Sequence, residues 1–391
     1  MSARRQRLLP GMKKVTLKSG EERYEITLDA GTDPGTGKRR QTRKRYKTLE
    51  DAKNAYSKIS SEVGAGTYVA RSTVTVEQVC SNYIAGRHNL RATSLSKLAY
   101  DLAPLRERHG ELPVQSLTRR HIDDLVRDLC VGGTVTEKGK SRRPWSPSAV
   151  NKVITTIQQV LADAFSQGVV PRVVAAGVKR VPMPHKEMST FTAAEVRTLL
   201  AAAADNRLGH AWHLALAGLR RGEIAGLRWS DVDLDAGFLS ISKSRVMAGN
   251  RAVENEPKTA TSRRTLPLSE PLKASLRMAR ASQRRERLAV GPEYGLGEYV
   301  VVNEVGQPYT PAVLSRYWRE MTVAAGVRSI RLHDARHTAA TTLHLQGVPV
   351  AVIAAWIGHA DASFTMKVYA HSQNDALKDA ASVLGSVVTT K

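Results

Sequence analysis

Leu332-His333-Asp334-Ala335-Arg336-His337-Thr338 carries the densest chemistry in the chain. The stretch reads as the start of a helix running to about Leu345 before Gly347, so His333 and Arg336 share one face. Gly358-His359 follows 23 residues after Arg336, and Tyr369 ten residues later. Upstream lie Gly218-Leu219-Arg220-Arg221-Gly222-Glu223-Ile224 and Pro257-Lys258-Thr259. The order is therefore Arg, Lys, His-x-x-Arg, His, Tyr. Attack on a phosphodiester is opposed by its negative charge and by a poor alkoxide leaving group. Without a metal, the reaction needs guanidinium forks on the non-bridging oxygens, an acid for the leaving oxygen and a positioned nucleophile. This set supplies each of them.

Each signal has a blander reading. Arg220 and Glu223, three apart, also describe an ordinary surface ion pair. Lys258 is one of 59 basic residues, and most tyrosines are amphipathic packing groups. His333 and His337 stand at i and i+4, the spacing of a zinc helix, but Asp334 occupies the position where a hydrolytic zinc motif carries Glu. No third ligand follows at motif spacing. A phenol with a pKa near 10 needs cationic neighbours to attack at neutral pH, and two arginines provide them.

The chain has 391 residues and a formal charge of +23, from 59 Lys and Arg against 36 Asp and Glu. That length predicts two or three domains, and that charge points to a polyanion, nucleic acid first. Cys80 and Cys130 lack metal or redox spacing and are expected to be buried thiols. With no signal-length or membrane-length apolar run, the expectation is a reduced, cytoplasmic, soluble protein.

Residues 1–71 hold 17 Lys and Arg against 8 Asp and Glu. Tyr24, Ile26 and Leu28 alternate with Glu25, Thr27 and Asp29, as in a strand with one buried face. After the turn cluster at Asp33 to Gly37 comes a strand from Arg39 to Lys47, basic on both faces, then a helix from Thr48 whose Ala52, Tyr56, Ile59 and Val63 face the sheet. The next region reads as all helical. It opens on the capping box Thr75-x-x-Gln78, and its clearest helix starts at Ser146-Pro147 with Val150, Val153, Ile154, Ile157, Val160, Leu161 and Ala164 on one stripe. Residues 172–189 read as a linker, and Thr192-x-x-Glu195 opens a third region. There, Phe238 to Ile241 and Arg264 to Leu268 have strand propensity, and a hairpin between them would present Lys258.

Taken together, the Arg220, Lys258, His333-x-x-Arg336, Gly358-His359 and Tyr369 stretches resemble the tyrosine recombinase, or phage integrase, family over about residues 185–375. The resemblance implies a multidomain chain. Residues 1–70 would be a small α+β arm-type DNA-binding domain, a three-stranded sheet plus helix. Residues 71–178 would be an all-α core-binding domain, and 179–391 a mainly α catalytic domain with a small β-sheet or hairpin. It implies that Arg220 and Arg336 clamp the phosphate and that Glu223 supports the first arginine. Lys258 would be the general acid, His333 and His359 would assist, and Tyr369 would form a covalent 3′-phosphotyrosine, with no metal and no cofactor. Arg39, Arg40, Arg43, Lys44, Arg45 and Lys47 would meet DNA from the arm domain, and Lys140, Arg142 and Arg143 from the helical one. The implied partners are double-stranded DNA attachment sites, a homotetramer in the synaptic complex, a host DNA-bending protein and an excisionase, at the nucleoid of a bacterial host. Departures from the family pattern are Ala217, Ala335, Ile357 and a His359 to Tyr369 interval one residue longer than in some branches. A type IB topoisomerase shares the chemistry but not the arm-like N-terminus, and a DNA-binding regulator would not need the full catalytic set. The apolar stripe Leu377, Ala380, Ala381, Leu384 and Val388 is expected to pack on the catalytic domain or on a neighbouring protomer.

Overall fold

The computed structural model describes residues 8–32, 39–65, 68–133, 139, 141, 143–184, 189–249, 251–256, 263–295 and 298–358, with backbone alone for 30–32 and 39–40. The chain divides into two compact units, Met1–Pro184 and His185–Lys391.

The first unit begins with β1 (Met12–Thr16), β2 (Glu22–Thr32) and β3 (Arg39–Tyr46), an antiparallel sheet in that order. Helix α1 (Leu49–Gly64) is capped by the Thr48 hydroxyl, which accepts from the Asp51 amide. It buries Ala52 and Ile59 against Met12, Ile26 and Leu28, the face predicted by the alternation in β2. The opposite face departs from expectation at Glu25, whose side chain is only 1% exposed. Register places it opposite Lys13 and Arg45, and Lys13, Arg43 and Arg45 all reach its carboxylate, at 3.2, 3.7 and 2.7 Å. Lys44 pairs with Ile26 across the strands and so shares the helix-facing side.

Helices α2 (Val76–Ala85), α3 (Ala92–His109), α4 (Arg119–Val131) and α5 (Pro147–Ser166) follow. Thr75 and Gln78 form the expected capping box. Helix α5 starts with the Ser146 cap and Pro147, and all seven residues of the predicted stripe are buried. Cys80 is fully buried, which pushes its thiol up to about 12, whereas Cys130 is half-buried near the end of α4.

The second unit comprises α6 (Ala193–Ala202), α7 (Gly209–Leu216), α8 (Arg221–Gly226), β4 (Val232–Asp233), β5 (Phe238–Ile241), β6 (Ser244–Ala248), β7 (Arg251–Asn255), β8 (Arg264–Pro267), α9 (Glu270–Val290), α10 (Pro311–Ala324), α11 (Leu332–Leu345) and α12 (Val350–Ile357). Its core centres on Trp212 and Trp318, packed edge to face with centroids 5.5 Å apart. The predicted strands at 238–241 and 264–267 pair directly, within a sheet of order β4-β5-β8, and a separate β6-β7 hairpin is inserted between them. Helix α8 lies so close to β6 that a Cβ on Gly222 would stand 2.5 Å from Ser244 Oγ and 2.9 Å from the Arg245 carbonyl oxygen. No helix among the described residues is long and apolar enough to cross a membrane.

Candidate active site

Arg220 occupies the N-cap position of α8, with extended backbone after Gly218, whose φ of +98° suits glycine. The Glu223 carboxylate turns back and accepts from the Arg220 amide and from Nη1, each at 2.8 Å. This is no surface pair, because Glu223 is 5% exposed. Burial alone would push its carboxyl up, but the Arg264 guanidinium, then the Arg220 amide and charge, hold it below the usual carboxylate range.

Arg264, at the start of β8, was not among the residues singled out by sequence. Its Nη1 and Nη2 donate to the two Glu223 oxygens at 3.2 and 3.0 Å, and its Nε donates to the Trp356 carbonyl at 2.6 Å. One residue later along α12, the Ile357 carbonyl accepts from Arg336 Nη2, and one further, the Gly358 carbonyl accepts from Arg220 Nη2 at 2.6 Å. Three arginines from three elements thus cap three successive carbonyls at the end of one helix, groups that have no partner within the helix. Arg336 also donates from Nη1 to the Gly218 carbonyl at 2.7 Å and is 1% exposed, so its charge is held entirely inside.

His333 stands in the first turn of α11 and is exposed on a groove of about 670 Å³ that Arg220, Arg221, Arg319 and Arg331 also line. Partial burial, then the positive charges of Arg336, Arg331 and Arg220, shift its pKa downward. The shift favours the neutral ring, in which one nitrogen donates and the other accepts. His337, the partner in the zinc reading, is 6% exposed, and its ring stands edge-on to His333 with centroids 5.0 Å apart. A second cleft, about 370 Å³ between Trp229, Arg284 and Tyr294, contains none of the predicted site residues.

Of the predicted set, Arg220 and His333 line this groove, while Arg220 and Arg336 meet at the end of α12 and Glu223 holds Arg220. Lys258, His359 and Tyr369 lie outside the described residues, as do Lys140, Arg142 and the stripe from Leu377 to Val388. Arg43, Lys44, Arg45, Lys47 and Arg143 are exposed, and Arg39 and Arg40 are known by backbone only.

Comparison with known proteins now decides the class. The phage integrase family matches residues 189–375, spanning every catalytic candidate, and the arm DNA-binding domain family matches residues 13–63. Residues 189–375 belong to the phage integrase family of tyrosine-type site-specific DNA recombinases. The XerC-like tyrosine recombinase of Caldanaerobacter subterraneus subsp. tengcongensis is 33% identical over 199 residues, 47% of this recombinase and 51% of the relative. The ICEBs1 integrase of Bacillus subtilis is 23% identical over 370 residues, 93% and 97% of the two chains. Among solved structures, the Tn1549 transposon integrase in complex with transposon right end DNA superposes with a TM-score of 0.63 at 18% identity, over 80% of this recombinase and 99% of that chain.

Proposed function

We propose that this recombinase integrates and excises a phage or other mobile element by transesterification through a 3′-phosphotyrosine on Tyr369. In this reading Arg220 and Arg336 hold the non-bridging phosphate oxygens, Glu223 orients Arg220, and His333 and His359 supply further hydrogen bonds. Lys258 protonates the leaving 5′ oxygen. The bond to Tyr369 conserves the energy of the broken phosphodiester, so no nucleotide is consumed and no metal is required. The observation that carries the reading is that Arg220, which lines the same groove as His333, meets Arg336 at the carbonyl end of α12, immediately before His359.

Three modules serve this chemistry: an arm-binding domain at 1–70, a core-binding domain at 71–178 and a catalytic domain at 179–391. Exchange between two duplexes cuts four strands with one nucleophile per chain, so the synaptic complex is a tetramer on paired attachment sites. A host DNA-bending protein and an excisionase would set direction. In this reading the exposed Arg43, Lys44, Arg45 and Lys47 meet DNA from the arm domain and Arg143 from the helical domain.

The test is a duplex attachment site nicked near the cleavage point, so that the cut strand is lost and the adduct accumulates. A denaturing gel should show a protein-DNA product with wild type and none with Tyr369→Phe. An adduct that persists in Tyr369→Phe would remove Tyr369 as nucleophile, and no adduct with wild type would remove the proposed reaction.

A further inference from the structure

Arg264 stands where three parts of the site meet. It forks onto Glu223, which holds Arg220, and it caps Trp356 in the helix that ends just before His359. It also follows Lys258 by six residues, so the chain keeps the two Cα atoms within roughly 20 Å. Both members of the Arg264–Glu223 pair are nearly sealed from solvent, at 6% and 5% side-chain exposure. In that setting an ion pair contributes more to fixed geometry than to net stability. The surroundings are shaped for it: Gly358 adopts a left-handed conformation, and a Cβ there would lie 2.9 Å from Arg264 Nη1.

We propose that Arg264 is a positioning residue for DNA cleavage, fixing Glu223 and thereby the Arg220 fork while holding the end of α12 from which His359 departs. It touches no reacting atom. Its contribution depends on one planar group serving a carboxylate and a carbonyl at once, which an ammonium cannot do. The proposal rests on the recombinase reading above.

The experiment uses the full-length chain with the nicked duplex under single-turnover conditions, alongside DNA affinity at fixed salt and thermal melting. Arg264→Gln should bind DNA within about twofold of wild type while forming the adduct at least tenfold more slowly. Arg264→Lys should recover less than about a third of the rate. Because Arg264 acts through Glu223, the double variant Arg264→Gln/Glu223→Gln should be no slower than the slower single variant, since residues in one network are non-additive. A merely structural arginine would instead give losses that multiply, or that follow the unfolded fraction, and either result overturns the proposal. If Arg264→Gln does not fold, the Lys variant decides, and wild-type cleavage by folded Arg264→Lys refutes it. Absence of adduct with wild type defeats the recombinase reading itself, a separate result because no Arg264 variant is involved.

Discussion

Replacing Gly358 with Ala should damage the protein more than its backbone conformation alone accounts for, and Gly347 provides the control. Both glycines have positive φ, 62° and 75°, and both follow a helix. An L-residue there costs about 1–2 kcal/mol in backbone strain. At Gly347 nothing lies within 4 Å of a built Cβ, so that strain is the whole effect. At Gly358 the Cβ would meet Arg264 Nη1 at 2.9 Å and its Cδ and Cζ at 3.3 Å. The guanidinium has little room to retreat, since Glu223 and the Trp356 carbonyl hold it on other sides. Displacing it strands a buried carboxylate, and breaking a buried pair costs about 3–5 kcal/mol. Partial adjustment of the side chain reduces that figure, giving an expected total of about 3–4 kcal/mol for Gly358→Ala. A change of this size in a unit of such length moves melting by roughly 2–4 °C per kcal/mol. Melting of both variants measures the difference, and adduct formation should fall in Gly358→Ala while remaining near wild type in Gly347→Ala. Equal melting shifts for the two variants would refute the steric argument and with it the tight seat of Arg264.

Other outcomes follow from the electrostatics. Hydrogen bonding to Arg328 pulls Glu195 down from 4.5 to about 2 against the effect of burial, so stability from this pair is present above about pH 4.5 and lost as pH falls toward 2. Because the Arg328 side chain is 56% exposed, solvent screening limits the effect to about 1 kcal/mol, and Arg328→Ala should flatten the acid limb of a melting-versus-pH curve by that amount. Burial holds His210 and His337 down at about 4 from 6.5, so both are neutral in the fold and stability should fall between about pH 6.5 and 4 as the unfolded chain takes up protons. His337→Gln should make that slope shallower, and an unchanged slope would count against its buried neutral state. In the sheet, Arg43→Ala should weaken arm-site binding similarly across sequences and lower the salt slope by about one, while a preserved slope would place Arg43 off the DNA.

Much of the fold was legible because it rests on local rules. The Thr75, Ser146 and Thr192 caps and the stripe of α5 encode their helices within a few residues, and each forms as read. A hairpin was expected between residues 238–241 and 264–268, and β6-β7 lies there, but the direct pairing of β5 with β8 across it was not legible because propensity does not reveal which strands neighbour each other. Glu25 was read as a solvent-facing alternate, since nothing in a period of two shows that Lys13, Arg43 and Arg45 close over it. At the site, the spacings of Arg220 to Glu223 and His333 to Arg336 were visible because they lie within single turns. Arg264 was one cation among 59, and its meaning comes from Trp356, 92 residues away, and Glu223, 41 residues away. A faint clue was present in its placement a few residues beyond Lys258 at the head of a strand, but only the tertiary contact gives it weight.

The end of α12 has an effect on the chain as a free protein in solution. Guanidinium groups gathered this closely repel one another, and in a chain of +23 there is little to offset them. Here backbone oxygens and one carboxylate stand in as surrogate acceptors, aided by the partial negative charge of about half an electron at a helix C-terminus. The cations are therefore already gathered and partly stripped of water before any anion docks. On the proposed reading, capture of a phosphate by Arg220 and Arg336 becomes an exchange of one oxygen for another at a site that is already organised.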